Sequence, residues 1–84
     1  MKGITYSKDA AKALGRMPAN TAKRIRAKIR AYAADPQSMA NNVKQLQASP
    51  YKRLRVGDWR VIMDDQGRIL LIVKVSPRGG AYKP

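Results

Sequence analysis

The stretch YKRLRVGDWRVIMDDQGRILLIVKVSPRGGAY, Tyr51 to Tyr82, decides the fold. Over most of its length apolar and polar residues alternate, which is the period of a strand with one covered face. Lys52, Leu54 and Val56 alternate with Tyr51, Arg53 and Arg55. Gly57-Asp58 is a two-residue hairpin signal. The next strand, Trp59 to Asp64, sets Trp59, Val61 and Met63 against Arg60 and Ile62. Asp65-Gln66-Gly67 makes a second turn, with Gly67 free to take a positive φ. Ile69 to Val75, ILLIVKV, is nearly all apolar and rich in β-branched residues, so it reads as a central strand buried on both faces. Ser76-Pro77-Arg78-Gly79-Gly80 reads as a break, and Ala81 to Pro84 as a short tail.

Upstream the period changes. GITYS, Gly3 to Ser7, reads as a short strand with Ile4 and Tyr6 on one side and Thr5 on the other. Ser7 is placed to cap a helix, since its hydroxyl can accept from a free backbone N–H of the first turn. That helix runs from Lys8 to about Arg16, with Ala10, Ala13, Leu14 and Met17 at helical spacing. Pro18 opens a second helix that runs to Ala34, where its missing N–H costs nothing. Ala22, Ile25, Ile29, Tyr32 and Ala33 form the apolar stripe of this helix; Lys23, Arg24, Arg26, Lys28 and Arg30 cover the rest. Asp35-Pro36 ends it, because the residue before proline avoids the α region. PQSMANNVKQLQASP, Pro36 to Pro50, is polar and loop-like, with Val43 and Leu46 as its anchors and room for a short helical turn. The order is therefore β-α-α-β-β-β. The expected fold is a single α+β domain over residues 1–84, a helical hairpin packed on a mostly antiparallel four-stranded sheet.

Charge narrows the function. Eighteen Lys and Arg stand against five Asp, with no glutamate, histidine or cysteine, and the net charge is +13. A compact domain with such a field attracts polyanions, nucleic acid first among them. Without cysteine there is no disulfide framework and no thiolate metal site, which fits a reducing cytoplasm. No run reaches the roughly 18 apolar residues of a membrane span, and none at the start has signal-peptide length. Neither a metal nor an organic cofactor is expected.

The candidate chemistry lies on the strands. Arg53 or Arg55 can lie beside Arg60 across the Gly57-Asp58 hairpin, an unfavourable pairing unless an anion bridges it. Arg78 and Tyr82 follow the last strand and can return to the same end. Guanidiniums grip phosphate oxygens as a fork and stay charged at any biological pH. The plainer alternative is a solvated strand surface on a basic protein. In that case Arg55 pairs with Asp58 or Asp64, Trp59 is core, and Tyr82 covers a core edge.

The element order resembles the RelE/ParE superfamily of bacterial toxin–antitoxin toxins. YKRLRVGDWRVI and VKVSPRGGAY carry the likeness, and so does the ADP step that ends the second helix. Its most specific piece is Leu54 to Val61, LRVGDWRV. What the resemblance implies is a toxin domain, and, in the RelE-type branch, a ribosome-dependent endoribonuclease that cuts mRNA in the A site without metal. Arg53, Arg60, Arg78 and Tyr82 then fall on the catalytic positions, and Lys52, Arg55, Lys74 and Lys83 on RNA-binding ones. Arg60 and Arg78 would stabilise the phosphate and support the leaving group, Arg53 and Lys52 would orient the backbone, and Tyr82 would be a base or a stacking platform. The resemblance also implies an acidic antitoxin as partner in a hetero-oligomer. Two alternatives come with it: a ParE-like inhibitor of DNA gyrase, and a non-catalytic basic module that only binds nucleic acid.

Overall fold

The computed structural model describes residues 1–77. In chain order these form β1 (Gly3–Tyr6), α1 (Lys8–Arg16), α2 (Ala19–Ala34), a 3-10 segment (Pro36–Asn42), β2 (Val43–Gln45), β3 (Lys52–Val56), β4 (Trp59–Asp65) and β5 (Ile69–Pro77). The strands make one sheet in the order β1-β5-β4-β3-β2. β1 pairs parallel to β5, and every other pair is antiparallel. Both helices cover the same side. Ala10, Leu14, Met17, Ile25, Ile29, Tyr32 and Ala33 meet Leu54, Val56, Val61, Met63, Leu70, Ile72 and Val75 in one core. Burying each Val, Leu, Ile or Met side chain among these stabilises the fold by about 1.5–3 kcal/mol.

The class is the expected one, but the sheet has five strands where four were expected. The extra strand, β2, lies inside the stretch read as a loop. Its three residues are too few to show a period. It exists because Val43, Lys44 and Gln45 pair with Leu54, Arg53 and Lys52 of β3. Met39, on the 3-10 segment before it, supplies a further buried side chain.

Nor is β5 the middle strand or buried on both faces. β4 is the middle strand, and the helices cover only one side of the sheet. On β5, Leu70, Ile72 and Val75 enter the core, Leu71 is half-buried and Lys74 is exposed. The change of phase between Ile72 and Val75 is a bulge. Ile62 opposes Lys74 and its neighbour Met63 opposes Ile72, which leaves Val73 without a partner on β4.

Ser7 ties the bulge to α1. Its Oγ accepts from the Ala10 N–H at 3.0 Å and donates to the Val73 carbonyl at 2.7 Å. The Ser7 N–H donates to the Ile72 carbonyl at 2.9 Å. Ser7→Ala therefore removes a helix cap and an acceptor's partner together. We expect a loss of about 1–2 kcal/mol in urea unfolding, with no change in the slope of the transition.

The β3–β4 hairpin turns on Gly57 at φ +59, a conformation that disfavours a side chain. The Arg24 guanidinium of α2 packs where a Cβ at position 57 would stand, so the basic face of α2 runs onto this turn. Arg26 of the same helix stacks over the Tyr6 ring, 5.1 Å from its centre.

Candidate nucleic-acid interface

The face of the sheet away from the helices carries the cations. The strand period makes this so: where Leu54, Val56, Val61 and Val75 turn inward, their neighbours turn out. Register then sets the neighbours in two rows. One runs Lys44, Arg53, Ile62, Lys74 across β2, β3, β4 and β5. The other runs Arg55, Arg60, Ser76 across β3, β4 and β5. Adjacent strands lie about 4.8 Å apart, so the longer row spans roughly 14 Å. Ile62 is buried within it, apart from the core on the helix side.

Arg55 and Arg60 are directly opposed. Like charges in that position repel. Among the described residues the ion pairs are Lys2–Asp65 and Lys52–Asp65, so neither Asp58 nor Asp64 neutralises Arg55. Arg55 and Lys74 are exposed, while Arg53 and Arg60 are half-buried. Arg53 and Lys44 also line a cleft of about 370 Å³ with Gln45, Leu46 and Gln47.

Four of the site residues read from sequence are thus brought together: Arg53, Arg55, Arg60 and Lys74. Lys52 is not with them. It opposes Met63 on the helix side, with its Nζ 3.4 Å from the Tyr32 hydroxyl and 3.9 Å from Asp65 Oδ2. Arg78, Tyr82 and Lys83 lie outside the described residues. Two members of the rows were missed. Lys44 sits on the strand read as loop, and Ser76 on a strand that runs to Pro77, past the break read at position 76. Trp59 packs against the core, as its alternation with Arg60 implied.

The perturbed titrations lie on the other side of the sheet. Asp65 accepts from the Tyr32 hydroxyl at 2.8 Å and the Gly67 N–H at 3.0 Å, and Lys2 Nζ stands 3.1 Å away. Burial pushes the Tyr32 hydroxyl up to about 12, helped by its bond to Asp65 and by that carboxylate's charge. Burial alone would raise Asp65. The Gly67 N–H, the Tyr32 hydroxyl and Lys2 together outweigh it and hold Asp65 below the ordinary carboxylate value. For Tyr32, raised above its unfolded value of 10.0, the contribution to stability is whole below pH 10 and fades as pH rises towards 12. For Asp65, depressed below 3.8, the contribution is present above that value and fades as pH falls through the folded one. We therefore expect the urea midpoint to fall between pH 10 and about 12, and to fall less in Tyr32→Phe.

Among the described residues no three carboxylate, histidine or cysteine side chains converge in a way that could hold a metal ion. No helix among them is long and apolar enough to cross a membrane. What the cationic face can do is hold phosphates, by forked hydrogen bonds as well as by charge.

The chain matches the description "ParE toxin of type II toxin-antitoxin system, parDE" over residues 4–82. No curated protein matches it significantly in sequence. It is similar in structure to a chain of the archaeal RelE–RelB complex from Pyrococcus horikoshii OT3. The two are 26% identical at a TM-score of 0.76, over 95% of this chain and 98% of that one. The fold is also that of chains from the RelB–RelE antitoxin–toxin complex of Methanococcus jannaschii (22% identity, TM-score 0.73, 95% and 99% covered). A chain of the intact E. coli RelBE toxin–antitoxin complex shares it too (12%, 0.75, 92% and 96%).

Proposed function

Since the chain belongs to the ParE toxin family of type II toxin–antitoxin systems, and is therefore a toxin, we propose that its cationic sheet face cuts mRNA in the A site of the ribosome. The observation that carries this reading is the directly opposed pair Arg55 and Arg60, with Arg53 and Lys74 on the same face of the sheet, away from the helices. Such a pair is favourable only around an anion. A phosphodiester chain supplies one after another, at a spacing that a row of strands can follow.

The chemistry needs no metal. The 2′-hydroxyl of the RNA attacks the adjacent phosphorus, a cyclic phosphate forms, and the bond to the 5′-oxygen breaks. That path requires a base at the 2′-oxygen, positive charge at the phosphorane and a proton for the leaving oxygen. Arg60 provides the charge, with Arg78 supporting the leaving group. Arg53, Arg55 and Lys74 hold the backbone. Arginine is a poor base, because its pKa lies above about 12. The proton transfer therefore falls to Tyr82 or to a group on the ribosome. Tyr32 takes no part, because it faces the helix side and is engaged by Asp65. Without a histidine on the protein, efficient cutting depends on the ribosome placing the 2′-hydroxyl in line.

We further propose an acidic antitoxin as partner and the cytoplasm as the site of action. The similar solved chains come from complexes of RelE with RelB, and a charge of +13 is suited to an acidic wrapping segment.

The test is toeprinting by primer extension on mRNA held in a purified translation system. New 5′ ends within the A-site codon are expected, and they should vanish when ribosomes are omitted. A second reading, inhibition of DNA gyrase, is favoured by the match to the ParE toxin description. Intact mRNA together with lost supercoiling would establish it. Salt-sensitive binding with neither effect would leave a non-catalytic binding module.

A further inference from the structure

We infer that Arg55, Arg60 and Ser76 form an oxyanion-binding site, in which the Ser76 hydroxyl donates to a phosphate oxygen held by the two guanidiniums. The inference rests on reading this face as a phosphate surface, and it adds a neutral donor to it.

Ser76 is anomalous. It is 8% exposed, and its Oγ is buried with no hydrogen-bond partner among the described residues. The other three serines are all engaged: Ser7 with Ala10 and Val73, Ser38 with Asp35, and Ser49 with Tyr51. A buried hydroxyl left unpaired is destabilising, whereas alanine there would not be. Unpaired groups of this kind are few in folded proteins, and each has a cause.

Position suggests the cause. Register puts Ser76 directly opposite Arg60, which is itself opposite Arg55. The row therefore holds two faults side by side, a repelling pair of cations and an unmade hydrogen bond. A single tetrahedral oxyanion cures both. It bridges the guanidiniums through two or more oxygens and offers another to the hydroxyl. Because the donor is neutral and buried, it needs no counterion when the site is empty. Its backbone is placed by the pairing of β5 with β4, which continues past it to Pro77 opposite Trp59. The bulge at Val73 is what delivers it, since without that extra residue the hydroxyl would point into the core.

The experiment compares the wild type with Ser76→Ala, Ser76→Thr and Arg60→Ala. Two probes are used: inorganic phosphate, followed by NMR at the Arg60 Nε–H, and a short single-stranded RNA, followed by fluorescence anisotropy at several salt concentrations. Ser76→Ala should bind both probes about tenfold more weakly, as for a lost hydrogen bond to a charged group. Its thermal midpoint should be equal to the wild type's or higher. Its plot of log affinity against log salt should keep the wild-type slope, because no charge is lost. Arg60→Ala should lower that slope by about 0.7. Ser76→Thr, which keeps the hydroxyl, should recover most of the affinity. An effect confined to inorganic phosphate would support the oxyanion site but assign it to free phosphate, not to the RNA backbone.

Unchanged binding in Ser76→Ala overturns the inference, and so does a Ser76→Ala chain that no longer folds. A wild type that binds neither probe overturns it together with the reading of the face. If the wild type leaves ribosome-bound mRNA intact while Ser76→Ala still weakens binding, the nuclease falls and the site stands. If mRNA is cut in an Arg60-dependent way while Ser76→Ala binds like the wild type, the site falls and the nuclease stands.

Discussion

Arg60→Ala is expected, under the proposed nuclease reading, to slow A-site cleavage by about two to three orders of magnitude, the usual loss when one preorganised donor to a developing oxyanion is removed. The size follows from where Arg60 sits. It lies on β4, the middle strand, so its backbone is fixed on both sides. It is half-buried, and its neighbours along the row are Arg55 and Ser76. No ion pair among the described residues diverts it from a ligand. The fold should not suffer, because the substitution relieves the repulsion with Arg55 and removes nothing from the core. The thermal midpoint should therefore hold or rise slightly while cleavage collapses. Arg60→Lys keeps the charge but not the fork, and should fall between the two. Single-turnover toeprinting with matched melting curves measures both quantities. A folded Arg60→Ala protein cutting at the wild-type rate would remove Arg60 from the site.

Asp65→Ala is expected to have the opposite profile, with large destabilisation and little change in RNA binding. Asp65 closes β4 and touches four other parts of the molecule. It takes Lys2 from near the start of β1, Tyr32 from α2, Lys52 from β3 and the Gly67 N–H from the β4–β5 turn. Its side chain is 12% exposed, so water replaces these bonds poorly. Deletion leaves the Tyr32 hydroxyl without its acceptor and Lys2 with only the Gly67 carbonyl, 2.8 Å away. Breaking a partly buried network from one side costs about 3 kcal/mol. In a domain of this size that lowers the melting point by on the order of 10–20 °C. Asp65→Asn keeps an acceptor and should lose about half as much. Binding should survive because the network lies on the helix side of the sheet, away from the cationic rows. A melting point within about 2 °C of the wild type would show that Asp65 holds nothing together.

How much of this could be read from the residues depended on the length of each signal. Helical periodicity over sixteen residues of α2 placed Ile25, Ile29, Tyr32 and Ala33 in the core without ambiguity. The Gly57-Asp58 hairpin put Arg53 or Arg55 beside Arg60, and the register makes it Arg55. Two local features broke the reading. β2 has only three residues, so its pairing is decided by β3 and not by its own pattern, and Lys44 was hidden with it. The bulge at Val73 shifts the phase inside an apolar run, where Leu70, Leu71, Ile72, Val73 and Val75 look equally fit for either face. No composition signal marks which residue of such a run will be the extra one. Lys52 shows the complementary case. Alternation with Leu54 and Val56 put it on the helix side, but the likeness to a family put it among the RNA contacts. The described structure follows the alternation.

The parallel pairing of β1 with β5 has a further consequence, in the timing of assembly. Ser7 and Val73, bonded to each other, stand 66 residues apart in the chain. β5 is an interior strand, so the sheet cannot close until its last segment has been made and has come back to meet the first. Contacts this distant in sequence form late and slowly, because a long loop must be ordered before any of them is rewarded. The row that ends in Ser76 is completed in that same final step. A partly synthesised chain thus carries the positive charge of the molecule but not its arrangement. The cationic surface is acquired all at once, after translation of the strand that finishes the sheet.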